Sequence, residues 1–153
     1  MRFQNSLPSM VILVSDVMTD IFTPEKRSYV MSRIRSKDTK PELKMRDLLK
    51  RSKIRFEMHA ALAGTPDFLV EDRIAVFVNG DFWHGYDYRN GRVPRQKYWR
   101  EKIERNMARD RRVQGKLRSQ GYSVLNLWEH DVNRSPEKCL GRIESKVGRK
   151  KKS

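Results

Sequence analysis

The feature that most narrows the fold is a pair of apolar runs, Phe68-Leu69-Val70 and Ile74-Ala75-Val76-Phe77-Val78, separated only by the polar Glu71-Asp72-Arg73. Short runs rich in β-branched and aromatic residues read as strands, and so brief a polar break asks for a tight antiparallel hairpin. Ahead of it, Ile54, Phe56 and Met58 alternate with Arg55 and Glu57, the period-2 pattern of a half-buried strand. A closing strand is expected at Ser123-Val124-Leu125-Asn126-Leu127-Trp128, with Glu129-His130-Asp131 just past its core.

Helix signals surround these strands. Thr23-Pro24-Glu25 is an N-cap followed by proline at the first helical position, which predicts a helix over 24–36. Thr39-Lys40-Pro41-Glu42 repeats the signal as a capping box, with Met45, Leu48 and Leu49 as the apolar side of a helix ending near Arg51. From about Gln96 to Gln120, Trp99, Ile103, Met107, Val113 and Leu117 fall on one side of a long helix. Arg105, Arg109, Arg112 and Lys116 fall on the other, as a solvated face or a phosphate track. The simplest assembly is α/β, a short mixed sheet flanked by helices.

A chain of 153 residues, 37% of them hydrophobic, has material for one core. A single domain is expected over 18–146. Residues 1–17 match no periodic template and precede Met18, so they read as an upstream misassigned start or a flexible leader, and 147–153 read as a flexible basic tail. The 34 Lys and Arg against 19 Asp and Glu leave a formal charge of +15, which calls for a polyanionic partner, nucleic acid being the commonest. Cys139 is the only cysteine, which excludes an intrachain disulfide framework and a cysteine-based zinc cluster. The apolar run from Met10 to Val14 is too short to span a membrane, so a soluble cytoplasmic protein, associated with the nucleoid through DNA, is expected.

Asp67 opens a strand directly after Pro66, where a carboxylate emerging at a sheet end can hold Mg²⁺, although a Pro-Asp pair alone is ordinarily a plain turn before a strand. The neighbouring strand ends at Val78-Asn79, followed by Gly80-Asp81-Phe82-Trp83-His84. Side-by-side strand ends can gather Asp67, the Val78 carbonyl and His84 around one phosphate, His84 serving as general base or acid. Phe82 and Trp83 stand in a polar loop as core plugs or as wedges between base pairs, and Trp99 shares that ambiguity. On helical geometry Asn106 and Asp110 turn inward and need partners, which suits a structural tie from the long helix to loop backbone near the site.

Asp67, Phe77-Val78-Asn79-Gly80-Asp81-Phe82-Trp83-His84, Tyr98-Trp99 before Glu101-Lys102-Ile103, Asn106 with Arg109-Asp110-Arg111-Arg112, and 124–129 together resemble the very short patch repair endonuclease family. The similarity runs in one register from about Met18 to Asp131. It implies a restriction-endonuclease-like core of the PD-(D/E)xK type and a Mg²⁺-dependent cut of one strand of duplex DNA 5′ to the T of a T:G mismatch, in repair of deaminated 5-methylcytosine. Mn²⁺ is a candidate substitute for Mg²⁺. A related nuclease with another target and a non-cleaving binder of distorted DNA are the alternatives.

By the match, Asp67 and the Val78 carbonyl would hold the metal, His84 would be the catalytic histidine, and Phe82, Trp83 and Trp99 would enter the duplex. Glu42 matches a family acid near the metal, or merely completes the Thr39 capping box. Asn79 stands where the family often has another histidine, and an amide cannot shuttle a proton at neutral pH. The positions matching the family's structural zinc ligands are Asp81, Tyr86, Tyr88 and His130, a set without a thiolate. No structural zinc is expected, an Asp81–His130 hydrogen bond or ion pair taking its place. The resemblance further implies a monomer with mismatch-repair proteins as candidate partners.

Overall fold

The computed structural model describes residues 23–25 and 37–152. The 1–17 leader, Ser153 and the 24–36 helix beyond Glu25 lie outside the described residues. The described chain forms two compact units, one taking in Asp81–Ala108, the other Lys37–Gly80 and the chain from Arg109 onward.

The second unit carries the sheet. Strands β1 (Phe56–Met58), β2 (Phe68–Val70), β3 (Ile74–Asn79) and β4 (Ser123–Trp128) lie in the order β1-β2-β3-β4. The first two pairings are antiparallel and β3–β4 is parallel, so the sheet is mixed as the sequence suggests. The β2–β3 turn closes with Arg73 N donating to Val70 O at 3.1 Å. Glu71 and Asp72 both take positive φ, 53° and 57°, within a three-residue loop between the paired Val70 and Ile74. The parallel pair needs a long crossover, which runs from Gly80 to Tyr122.

Helix α1 (Lys40–Arg51) buries Pro41, Glu42, Met45, Leu48 and Leu49, a stripe at helical spacing. Lys50 and Arg51 complement the negative end of its dipole. Its apolar side meets Phe68, Val70, Ile74, Val76, Leu125 and Leu127, which share one face of the sheet by register. Helices α4 (Glu129–Arg134) and α5 (Pro136–Lys152) pack with α1 and add Val132, Cys139, Ile143 and Val147 to that core. The tail expected from 147 therefore begins later: helix continues to Lys152, and Val147 is buried. Glu129-His130-Asp131, just past β4, is the first turn of α4.

The crossover contains α2 (Tyr86–Arg89), a single turn in a stretch without sequence period, and α3 (Lys97–Ser119). Gln114 of α3 reaches the other sheet face, where it bonds Asn126. A Cβ on Gly64 would lie 2.3 Å from Val113 Cγ1 and 3.5 Å from the Phe77 ring, a close approach that only glycine allows at this φ of +73°.

Candidate active site

Asp67 sits where the start of β2 meets the end of β3. Pro66 before it has no N–H for the ladder, and the aspartate side chain crosses the gap: the Val78 N–H donates to Asp67 Oδ2 at 2.7 Å. On the other side the Asp67 carbonyl accepts the His59 N–H at 3.1 Å. Asp67 thus ties β3 to the chain just beyond β1.

Glu42, in the first turn of α1, is 2% exposed and meets Asp67 closely enough for the two carboxyls to share a hydrogen bond. The expected Thr39 cap is not formed by the Thr39 side chain; Glu42 Oε1 instead accepts the Asp38 N–H at 2.9 Å, one residue earlier. Glu42 therefore holds the backbone just ahead of α1 and lies against Asp67 with the same side chain. His59 Nε2 stands 3.8 Å from Glu42 and 3.4 Å from Asp38, and His59 itself is held at a φ of 52°. Sequence periodicity did not single out His59, because the alternation of Phe56 and Met58 ends one position before it.

Burial pushes the Asp67 carboxyl up to about 8, and the charge of Glu42 adds to the rise against the Val78 N–H, which opposes it. Burial likewise raises Glu42, offset in part by the Asp38 N–H, Asp67 and His59. Two buried carboxyls in contact cannot both ionise cheaply, so they share a proton unless a cation replaces it. The donors are carboxylate oxygens beside a strand-end peptide, a set that suits a hard divalent cation such as Mg²⁺.

Asn79 ends β3 at 6% exposure. Its Nδ2 donates to Asn126 Oδ1 at 2.9 Å, and Asn126 and Gln114 exchange a reciprocal pair at 2.9 and 3.0 Å. This amide cluster, spanning β3, β4 and α3, lies on the sheet face away from the apolar core.

The other unit holds the aromatics. Phe82 and Trp99 are buried rather than presented to solvent, and Trp83 is half-buried. Trp83 meets Phe82 edge-on at 4.6 Å between ring centroids and Trp99 at 5.8 Å, while Tyr98 meets Trp99 edge-on at 4.8 Å. These rings form one packed cluster. Asn106 Nδ2 donates to the Trp83 carbonyl at 3.1 Å, the tie from helix to loop that helical geometry predicted. His84 is half-buried in the same loop, and Gly85 follows at a φ of +91°.

At the positions matching zinc ligands, the Asp81 carbonyl accepts the Tyr86 and Asp87 N–H groups, and the Tyr88 hydroxyl bonds Glu104. His130 Nε2 lies 3.3 Å from Asp131 within α4. Asp110, in the second unit, is half-buried.

A mixed four-stranded sheet flanked by helices, with the Asp67 carboxyl at adjoining strand ends and Glu42 of α1 against it, defines an α/β protein of restriction-endonuclease-like fold. Residues 19–90 match the family model for DNA mismatch endonuclease Vsr. The chain is 40% identical to the type II nicking enzyme V.XorIIP of Xanthomonas oryzae pv. oryzae over 134 residues, 85% of this chain and 95% of that one. It is 35% identical to the type II nicking enzyme V.NmeDIP of Neisseria meningitidis serogroup C over 133 residues, 84% and 90% of the two chains. To the DNA mismatch endonuclease Vsr of Escherichia coli it is 37% identical over 116 residues, 73% and 74% of the two. The protein belongs to the Vsr family of DNA endonucleases, and DNA is its partner. Among the described residues no helix is long and apolar enough to cross a membrane.

Proposed function

We propose that this protein nicks one strand of duplex DNA 5′ to the T of a T:G mismatch, acting in repair of deaminated 5-methylcytosine, with Mg²⁺ held by Asp67 and the Val78 carbonyl. The observation that carries the reading is the 2.7 Å bond from the Val78 N–H to Asp67 Oδ2, with Glu42 against the same carboxyl. A strand residue turns its N–H and C=O to the same edge, so the Val78 carbonyl also faces the Asp67 side. Mg²⁺ bound there would neutralise charge on the scissile phosphate and help a water lose its proton. Mn²⁺, which also accepts oxygen ligands, is expected to substitute.

The chain's own residues would divide the remaining work. Asp67 and Glu42 supply the negative charge that recruits the cation. His84 acts as the general base or acid, by its match to the family histidine. Asn79 offers a fixed hydrogen bond where a second histidine would offer a proton. Phe82, Trp83 and Trp99 enter the duplex beside the mismatch, which requires their packed cluster to open and DNA unstacking to be compensated by new contacts. The +15 charge draws the phosphate backbone in and makes binding fall with salt.

The test is a cleavage panel covering every mismatch in several flanking contexts, with Mg²⁺, with Mn²⁺ and with EDTA. A nick 5′ to T in T:G duplex, lost with EDTA and in Asp67→Ala, supports the proposal. Equal cleavage of perfectly paired duplex would turn the reading to a related nuclease with another target. Tight mismatch binding with intact DNA would turn it to a non-cleaving binder.

A further inference from the structure

We propose that Asn126 and Gln114 are positioning residues that hold the Asn79 amide in a single orientation, with its carbonyl oxygen presented to the reaction site. This rests on the nicking function proposed above. Asn79 follows the Val78 peptide directly and lies at 6% exposure, so the way its amide points determines what the end of β3 offers to a phosphate or water.

An asparagine side chain has a donor end and an acceptor end of nearly the same shape. Left alone at a strand end it can present either. Here Asn126 Oδ1 receives both Asn79 Nδ2 and Gln114 Nε2, each at 2.9 Å, while Asn126 Nδ2 returns a bond to Gln114 Oε1 at 3.0 Å. The reciprocal pair means that Asn126 and Gln114 can turn over only together, so the orientation of Asn79 is tied to both of theirs. Turning Asn79 over alone would set its oxygen against the Asn126 oxygen, which keeps only the Gln114 Nε2 donor, and lose the bond between them, an arrangement disfavoured about tenfold or more.

The placement follows from topology. Phe77 pairs with Asn126 in the parallel register, so Asn79, two residues beyond Phe77, shares a sheet face with Asn126. Gln114 reaches the same face from α3. An amide in a histidine's place neither takes nor releases a proton, and its usefulness lies in being an acceptor at a fixed point. That usefulness disappears if the amide turns over freely, which is what the two distant residues prevent.

The experiment is steady-state nicking of a T:G duplex in Mg²⁺ by wild type, Asn79→Ala, Asn126→Leu, Gln114→Leu and the Asn79→Ala/Asn126→Leu double variant, with melting temperatures for each. The expected result is a fall of about tenfold in kcat for Asn126→Leu at unchanged KM, with no further fall when Asn79→Ala is already present. Asn126→Asp, which keeps the acceptor for Asn79 Nδ2, should recover most of the rate. Additive losses, or losses that track the melting temperature, would overturn the inference. If wild type leaves T:G duplex intact, the nicking function fails separately. Side-chain amide exchange then decides the orientation: slow Asn79 exchange that becomes fast in Asn126→Leu upholds it, and fast exchange in wild type overturns it.

Discussion

The Val78 N–H donates to Asp67 Oδ2 at 2.7 Å, joining the start of β2 to the end of β3 through a side chain where proline has removed a ladder bond. One carboxylate oxygen is committed by that bond, and the other is left for Glu42 or for a cation. Asp67→Asn keeps an oxygen acceptor for Val78 but removes the charge. Nicking is expected to fall by roughly 10³-fold, the equivalent of about 4 kcal/mol of lost charge stabilisation. Metal-free folding should not suffer. A melting temperature that falls as far as the activity does would make Asp67 a structural residue instead.

Without a divalent cation, the same pair makes stability depend on pH. The Asp67 carboxyl is raised from its ordinary 3.8 to about 8 in the fold, so the folded state holds a proton that the unfolded chain releases above about 4. Stability from that protonated carboxyl is complete below pH 4 and is lost as pH rises through 8. The melting temperature in EDTA should therefore decline across this window, by on the order of 4 °C for each kcal/mol lost. Mg²⁺ should reverse the decline at the alkaline end, and Asp67→Asn should flatten it. A melting temperature that rises between pH 5 and 8 in EDTA and is unmoved by Mg²⁺ would contradict the shared-proton account.

The hairpin and the Asp67 position were legible because their causes are local. Two apolar runs, a short polar break and a proline each act within a few residues, and Glu71 and Asp72 adopt the backbone that the break demands. Other parts of the site depend on contacts distant in sequence. Asn79 and Asn126 are separated by 47 positions, and nothing near either residue announces the other. His59 joins Glu42 only because the chain after β1 passes the first turn of α1. The end of α5 was obscured for a different reason: the lysines and arginines after Gly148 resemble a tail, although Cys139, Ile143 and Val147 recur at helical spacing just before them.

Gly85 gives the loop that carries His84 its shape. At a φ of +91° it adopts a backbone that side chains rarely take, and a Cβ there would lie 2.5 Å from Met107 Sδ. The methionine can yield in part, but the backbone strain remains. Gly85→Ala is expected to cost about 1–3 kcal/mol of stability and to lower nicking more than DNA binding, because His84 is the immediate neighbour. Thermal melts alongside a binding and cleavage series would check this. Unchanged kcat in a destabilised variant would separate His84 from the chemistry.

The aromatic cluster sets a stricter condition on the proposed entry of these rings into a duplex. Phe82 and Trp99 are buried, with Trp83 between them in ring contact with both. Rings that insert into DNA must first leave that packing, so recognition should be coupled to a rearrangement of the cluster. Truncating Trp99 to alanine would remove a fully buried ring and cost roughly 3–5 kcal/mol, enough to confuse folding with recognition. Trp83→Phe is the cleaner probe, since it keeps an aromatic ring at a half-buried position. Tryptophan fluorescence of the wild type is expected to shift on binding T:G duplex and to shift less on matched duplex, with Trp83→Phe losing much of the difference. Equal spectra with both duplexes, at saturating DNA, would mean that the cluster stays closed and that the mismatch is sensed without these rings.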